Sequence, residues 1–361
     1  MNYKLILLFS LIFLEVNLTT QAQNESETRN YIKTIPVGRE TTLEVSNKYG
    51  TVQITPWSKD SVYIRAEVKA YGKDQSKLSK MFAGIKVNIT DTKYVVIAQT
   101  EFTSNINMFF ENFKGMTNKI ISYDSRVEIN YFINVPDYIR LKIDNKYGDV
   151  YVENSGNEVT VSISNGSFKA NSLGKNSILN LTFCDAEINS ILTGNINSSF
   201  SDITIESSDD LTINSVSSKY DIKESGIIRG ESRRDKFLID DIASLHFTSY
   251  FTDFRIDNIR NELDLDSRYG DIRASLDKGF SSVNIKSGYA DISLNFDPVS
   301  SYNLNVRHIN AFLVLPDQNS KIEEKEINED KKEYLTSGTV GNNPGSAKVK
   351  IDATRGNIYF K

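Results

Sequence analysis

The sequence predicts a mainly β protein: a single-stranded β-solenoid of the β-helix type, with about 17–21 residues per coil and one short helix in an N-terminal β-α-β insert. Three observations predict it. A ten-residue unit at 143–152, Ile-Asp-Asn-Lys-Tyr-Gly-Asp-Val-Tyr-Val, recurs in variant form to the end of the chain. Its copies begin at 143, 161, 179, 196 and 215, then at 247, 265, 285, 306 and 351, a period too short for a helical repeat. Between the turns, apolar and polar residues alternate with the period of two expected of half-buried strands.

Taken in order, the chain opens on a segment with the marks of a secretory signal. Asn2, Tyr3 and Lys4 form a short basic start, 5–14 is an apolar run, and Thr20-Gln21-Ala22 offers small residues for cleavage. A bilayer span needs roughly 20 apolar residues, so the run is too short for an anchor. The signal is expected at 1–22, with no transmembrane segment in the mature chain. Residues 23–40 read as a polar, loose leader. The lone cysteine, Cys184, makes no internal disulfide and is too far downstream for lipid attachment, so it reads as a small buried hydrophobe. A net charge of −5 excludes broad nucleic-acid binding.

Residues 41–135 read as an N-terminal β-rich region. A first motif copy spans 41–54, and Val62, Ile64, Ala66 and Val68 alternate with polar residues along the next strand. Asp74 or Ser76 can cap a helix near 77–85, where Leu78, Met81, Phe82 and Ile85 share a face. Strands near 86–90 and 94–99 follow. Segment 101–118 crowds Met108, Phe109, Phe110, Phe113 and Met116 among polar residues and reads as a lid over the sheet. Solenoid repeats fill 136–361, interrupted at 318–347 by a charged stretch that reads as an exposed loop with a short helix.

Each copy supplies a strand, a sharp turn and a second strand. Apolar residues at the first, eighth and tenth positions, such as Ile143, Val150 and Val152, point into one core. At the turn, Gly is expected to supply positive φ and Asp to bond nearby backbone amides. Stacking at roughly 4.8 Å per coil turns like residues into ladders.

Asn47-Lys48-Tyr49-Gly50, Val135-Pro136 leading into Asn145-Lys146-Tyr147-Gly148-Asp149-Val150, Ser267-Arg268-Tyr269-Gly270-Asp271-Ile272 and Arg355-Gly356-Asn357-Ile358 carry a family resemblance. At these residues the chain resembles the DUF4097, auto-transporter-adhesin (GIN-domain-like) family of exported β-repeat proteins, in versions common in Bacteroidetes. The resemblance covers essentially the whole mature chain. It implies a β-helix-like fold and a cell-envelope setting, and it brings no catalytic residues.

Three chemical readings compete with a structural one. The column Asp149, Asp185, Asp202, Asp253, Asp271 and Asp291 offers oxygen ligands for Ca²⁺, but the Gly-Gly-x-Gly-x-Asp signature is absent and Asp serves turns on its own account. Asp253, Arg255, Arg268, Asp271 and Arg273 could converge as a carbohydrate-active site, although outward charges on a solenoid are ordinarily solvated. His246 and His308 are too few for a histidine-rich metal site. The aromatics at 49, 147, 183, 200, 251, 269 and 289 form either an outward stripe able to stack on sugars or a packing ladder, with Tyr147, Tyr269 and Tyr289 the candidate binding residues. No catalytic residue, metal or cofactor is assigned. The reading is a non-enzymatic, exported envelope protein (periplasmic, outer-membrane or secreted) whose surface meets an envelope protein or a glycan. The alternatives are a carbohydrate-active enzyme or a structural, envelope-sensing component.

Overall fold

Period-two alternation sends every other side chain inward, and stacking the coils in register closes that interior. The computed structural model describes residues 25–103, 125–315, 319–342, 344–345 and 347–361. The expected signal at 1–22 and most of the lid-like segment at 101–118 lie outside the described residues.

The N-terminal part comprises β1 (Glu25–Pro36), β2 (Thr42–Lys48), β3 (Val52–Trp57), β4 (Ser61–Gly72), helix α1 (Gln75–Ala83), β5 (Ile85–Asp91), β6 (Val95–Phe102) and β7 (Ser125–Pro136). The central array is β8 (Arg140–Lys146), β9 (Val150–Ser155), β10 (Val159–Leu173), β11 (Ser177–Ser199), β12 (Asp202–Val216), β13 (Lys219–Arg233), β14 (Lys236–Tyr250), β15 (Asp253–Leu276) and β16 (Ser282–Phe296). The chain closes with β17 (Tyr302–Ile309), β18 (Leu313–Val314), β19 (Ser320–Asn328), β20 (Glu333–Val340), β21 (Lys348–Thr354) and β22 (Ile358–Phe360).

Parallel register sets the coil length. Val161 pairs with Leu179, Asp202 with Lys219 and Lys219 with Lys236, so one structural position returns after 18, 17 and 17 residues. Glu262 pairs with Ser282, 20 residues on, where the turn at 277–281 lengthens the coil. Each coil has two sides, one before and one after the aromatic turn, and their inward residues meet. Phe237, after a turn, packs on Phe247, before the next, at 5.1 Å. Tyr220, Phe237 and Phe254 stack at 4.8 and 5.2 Å along the axis and are almost wholly buried. Burying such a ring contributes about 1.5–3 kcal/mol, and each stack adds about 0.5–1.5 kcal/mol.

Both ends of the array switch to antiparallel pairing. At the N-terminal end β3 runs parallel to β7, and then β7–β4 and β4–β1 are antiparallel; on the other side β2 runs parallel to β6, and β6–β5 is antiparallel. Asp74 caps α1, its carboxylate accepting from the Lys77 backbone N–H at 2.8 Å, and Leu78, Met81 and Phe82 are its buried face. At the C-terminal end the last coil does not form the last layer. Strand β21 lies between β16 and β17, parallel to both, while β17–β20–β19 continue antiparallel.

Two expectations change here. Most of the polar leader at 23–40 is the strand β1, paired with β4 along its whole length. The charged stretch within 318–347 forms the hairpin β19–β20 rather than an exposed loop with a helix. The same physics explains both. Glu25, Glu27, Arg29 and Lys33 on β1, and Lys321, Glu323, Glu324 and Lys325 on β19, stand on outermost strands, where charge opposes pairing with a further chain.

Candidate functional site

The turn comes first, because it positions everything beside it. Asn145 Nδ2 donates to the Gly50 carbonyl of the preceding coil at 2.9 Å and to the Asp149 carbonyl at 3.0 Å. Tyr147 takes φ 56°, and Tyr49, Phe183, Phe200, Phe251, Tyr269 and Tyr289 likewise lie in the left-handed region (67°, 50°, 52°, 57°, 59° and 61°). Positive φ was expected of the glycine; Gly270 and Gly356 have it, at 107° and 98°, but the left-handed conformation itself falls on the residue before. Gly148 answers a different need, since a Cβ there would collide with the Gly50 carbonyl oxygen. A left-handed non-glycine residue costs about 1 kcal/mol or more, which ring stacking partly offsets.

The rings face outward and also stack. Phe183 lies on Phe200 at 5.0 Å, and Phe251, Tyr269 and Tyr289 stack in sequence at 4.6 and 5.1 Å. Tyr147 stacks on Tyr49 at 5.6 Å. Asn165, Ser217 and Arg234 take the same turn conformation without an aromatic ring, so the column is three separate stacks. Arg355 closes the last one, its guanidinium 5.0 Å from the Tyr289 ring centre and donating to the Tyr289 hydroxyl at 2.6 Å.

The Asp column behaves as turn chemistry. Asp149 Oδ1 accepts from the Ser167 backbone N–H at 2.9 Å, Asp253 Oδ1 from that of Asp271 at 2.9 Å, and Asp291 Oδ1 from that of Asn357 at 2.7 Å. Lys219 and Lys236 occupy the column between Asp202 and Asp253. Two lysines in consecutive coils interrupt any continuous path for a bound cation along it.

Beneath the central turns lies a buried polar network that the sequence reading missed. The Ser218 backbone N–H donates to Asp235 Oδ1 at 2.6 Å, while Ser215 Oγ, Ser232 Oγ and the Arg233 backbone N–H donate to Oδ2 at 2.5, 2.8 and 2.9 Å. Ser198 Oγ bonds the Tyr220 hydroxyl across the core at 2.8 Å, and burial pushes that phenol well up from its ordinary range. Four donors satisfy the buried carboxylate, so the backbone under residues 215–235 is held from inside. Cys184 occupies the equivalent turn place three coils earlier, and burial, followed by the charge of Asp185, pushes its thiol up to about 12. Such a thiol is unreactive at neutral pH.

Above this network, on the side before the turn, runs an open groove of about 910 Å³. One residue per coil follows its floor: Asn180, Asn197, Asn214, Glu231, Thr248 and Asp266. The asparagines form an amide ladder, Asn197 Nδ2 donating to Asn180 Oδ1 at 3.0 Å and Asn214 Nδ2 to Asn197 Oδ1 at 3.3 Å. Beside them, nearer the turn, stand Val216, Arg233, Tyr250 and Arg268. A second hollow of about 400 Å³ shares Tyr250, Asp266 and Arg268, and continues past Tyr269, Lys286 and Tyr289 to Asp352. Tyr269 and Tyr289 therefore border the groove, whereas Tyr147 stands with Tyr49 nearer the N-terminal end. The sequence signal for the groove was partly present in the second position of the repeat, polar at Asn180, Asn197, Thr248 and Asp266; strand register starts the next copies at Ile213 and Gly230, and not at 215, which brings Asn214 and Glu231 into the same column.

Charge pairing distinguishes the two groove arginines from several basic residues across the turn. After the turn, Lys169 meets Glu187 at 2.7 Å, Lys223 meets Asp221 at 2.9 Å, Arg255 meets Asp257 at 3.4 Å and Arg273 meets Asp271 at 3.1 Å. In the groove, neither Arg233 nor Arg268 has a carboxylate within 4.0 Å among the described residues, and both are exposed; Arg233 lies 5.8 Å from the Tyr250 ring centre. Four of the five residues considered as an enzyme site adjoin in neighbouring coils, the Asp271 backbone N–H donating to Asp253 Oδ1 at 2.9 Å and Arg273 meeting Asp271 at 3.1 Å, and the fifth stands apart. Asp253, Arg255, Asp271 and Arg273 lie after the turn, and Arg268 before it. His246 sits 3.9 Å from Glu262, while His308 is buried with its Nδ1 3.1 Å from the Ala311 carbonyl.

No family model and no curated protein matches the chain. Solved structures to which it is similar include a candidate cell adhesion protein from Clostridium sporogenes at 10% identity, covering 93% of this chain and 99% of that one, with a TM-score of 0.18. A candidate adhesin from Bacteroides fragilis is 13% identical over 94% of this chain and 99% of that one, with a TM-score of 0.25. A candidate lipid binding protein from Parabacteroides distasonis is 11% identical over 92% and 96%, with a TM-score of 0.28. At these TM-scores the functional reading rests on the chain's own geometry.

Proposed function

We propose that this chain is a non-enzymatic, exported cell-envelope protein that presents the groove side of its solenoid as an extended surface for adhesion or interaction, in line with its DUF4097-like motifs. The observation that carries the reading is the groove itself. It runs across successive coils, it is lined by amides, hydroxyls, an exposed tyrosine and unpaired guanidiniums, and a buried network fixes the backbone under it. A shallow, elongated and rigid polar surface suits recognition of an extended partner. Catalysis needs acid and base groups converging on one bond, whereas the candidates after the turn are engaged in the coil itself, Asp253 accepting from the Asp271 backbone N–H and Asp271 pairing with Arg273, and Arg268 stands on the other side. No helix among the described residues is long and apolar enough to cross a membrane; export rests on the signal-like segment at 1–22.

Pulldown from intact envelopes with the mature chain tests the reading. Specific retention of envelope material, lost in the Tyr250→Ala, Arg268→Ala double variant, is the expected result. Retention no greater than that of an unrelated exported β protein contradicts it.

A further inference from the structure

Resting on that reading of the groove, we propose that it binds a linear acidic polysaccharide carrying a carboxylate on alternate sugars, laid along the solenoid axis. Three features of the groove specify this ligand.

The first is spacing. Coils advance by roughly 4.8 Å, and one sugar of an extended polysaccharide advances by a similar length, so successive sugars meet successive coils. Arg233 and Arg268 occupy one column, separated by the coil that presents Tyr250. They stand two coil steps, roughly 10 Å, apart along the axis, which matches a disaccharide repeat. The second feature is charge. Each guanidinium is exposed and has no carboxylate within 4.0 Å among the described residues, whereas Lys169, Lys223, Arg255 and Arg273 across the turn are paired. A planar guanidinium accepts a carboxylate in a two-point fork. The third is what separates the two cations. Tyr250 offers a ring to the face of the intervening sugar. Level with Tyr250 the neighbouring column presents Thr248 and no cation, so a carboxylate on the intervening sugar has no partner there, while Glu231 and Asp266, level with Arg233 and Arg268, can accept hydroxyl hydrogens from the sugars held at those coils.

The test measures binding of the full mature chain to size-matched fragments of hyaluronan, with a carboxylate on alternate sugars, of polygalacturonate, with one on every sugar, and of neutral dextran. Hyaluronan is expected to bind most tightly. Arg233→Ala and Arg268→Ala should each weaken it about tenfold, the scale of one hydrogen-bonded charge. Arg268→Lys, which keeps the charge and loses the fork, should fall between wild type and alanine. Arg255→Ala, across the turn, should leave binding unchanged, and unaltered thermal melting establishes that each variant is folded. Dextran binding as tight as hyaluronan, polygalacturonate binding tighter than hyaluronan, or hyaluronan binding insensitive to both arginines overturns the ligand assignment. If hyaluronan fails while envelope retention still depends on Tyr250, the assignment falls and the groove reading stands. If retention is also indifferent to Tyr250 and Arg268, both fall.

Discussion

The two sides of the aromatic turn are built from the same coils with the same period, yet the two arginines at the groove and four basic residues across the turn dispose of charge differently. Elsewhere before the turn Arg140, Lys142 and Arg229 are paired as well. After the turn, Lys169, Lys223, Arg255 and Arg273 each meet an acidic neighbour along the strand or across coils. Before it, Arg233 and Arg268 border a groove without such a partner, next to an ordered ladder of asparagine amides. Self-neutralising charge makes a well-solvated surface, while unpaired charge over a rigid backbone leaves recognition capacity available to a ligand. A repeat can thus encode a passive side and an interactive side in adjacent positions of one ten-residue unit.

The largest expected effect breaks the comparison at its foundation. Asp235→Ala removes the acceptor of two hydroxyls and two backbone N–H groups in a buried corner. Leaving those donors unpaired should cost about 3 kcal/mol or more, seen as a lower denaturation midpoint in urea, and should loosen the groove floor and the far side together.

Next in size is Gly148→Val. The collision of a Cβ with the Gly50 carbonyl should destabilise the turn by about 1–3 kcal/mol, measured in the same way. Hydrogen exchange should show the change concentrated around 50 and 148, away from Asp235.

Alkaline pH should act on the interior while sparing the comparison between sides. Burial raises the Tyr131 phenol from 10.0 to about 12 and the Cys184 thiol from 9.0 to about 12. The folded state favours the protonated forms, so their contribution is complete below pH 9 and is lost as pH rises from there through about 12. Thermal melting should therefore fall progressively across that window. Native Cys184 should also resist alkylation at pH 8.

The smallest effect belongs to the passive side. Lys169→Ala removes an exposed, solvent-screened ion pair with Glu187 and should leave the urea midpoint essentially unchanged. A measurable loss in a urea titration would show that the paired side carries structural weight that the comparison denies it.

Periodicity made the solenoid legible from the sequence alone. Apolar positions such as Ile143, Val150 and Val152 recur at coil length, and all three are buried. Asp74 and the Leu78, Met81 and Phe82 face revealed the helix for the same local reason. The ends were harder to read. The charges of β1 and β19 resemble those of solvated loops, because composition does not distinguish a protected edge strand from an exposed segment. Threading β21 between β16 and β17 depends on contacts far apart in sequence, which no local pattern records. At the site, Tyr269 and Tyr289, picked out from the repeat, line the second hollow beside the groove, and their part in binding is a proposal. Arg233 was overlooked because its coil replaces the turn's aromatic with Arg234, hiding its kinship with the motif, and Tyr250 because it sits beside the turn aromatic Phe251 and not at the aromatic position itself.

The most direct test exchanges the two sides in one binding measurement. Retention of intact envelopes on the immobilised mature chain should be lost in an Asn197→Ala, Tyr250→Ala, Arg268→Ala variant and kept in a Lys169→Ala, Arg255→Ala, Arg273→Ala variant, with both folded by thermal melting. Equal loss in the two variants, or loss only in the second, would contradict the assignment of function to the groove side.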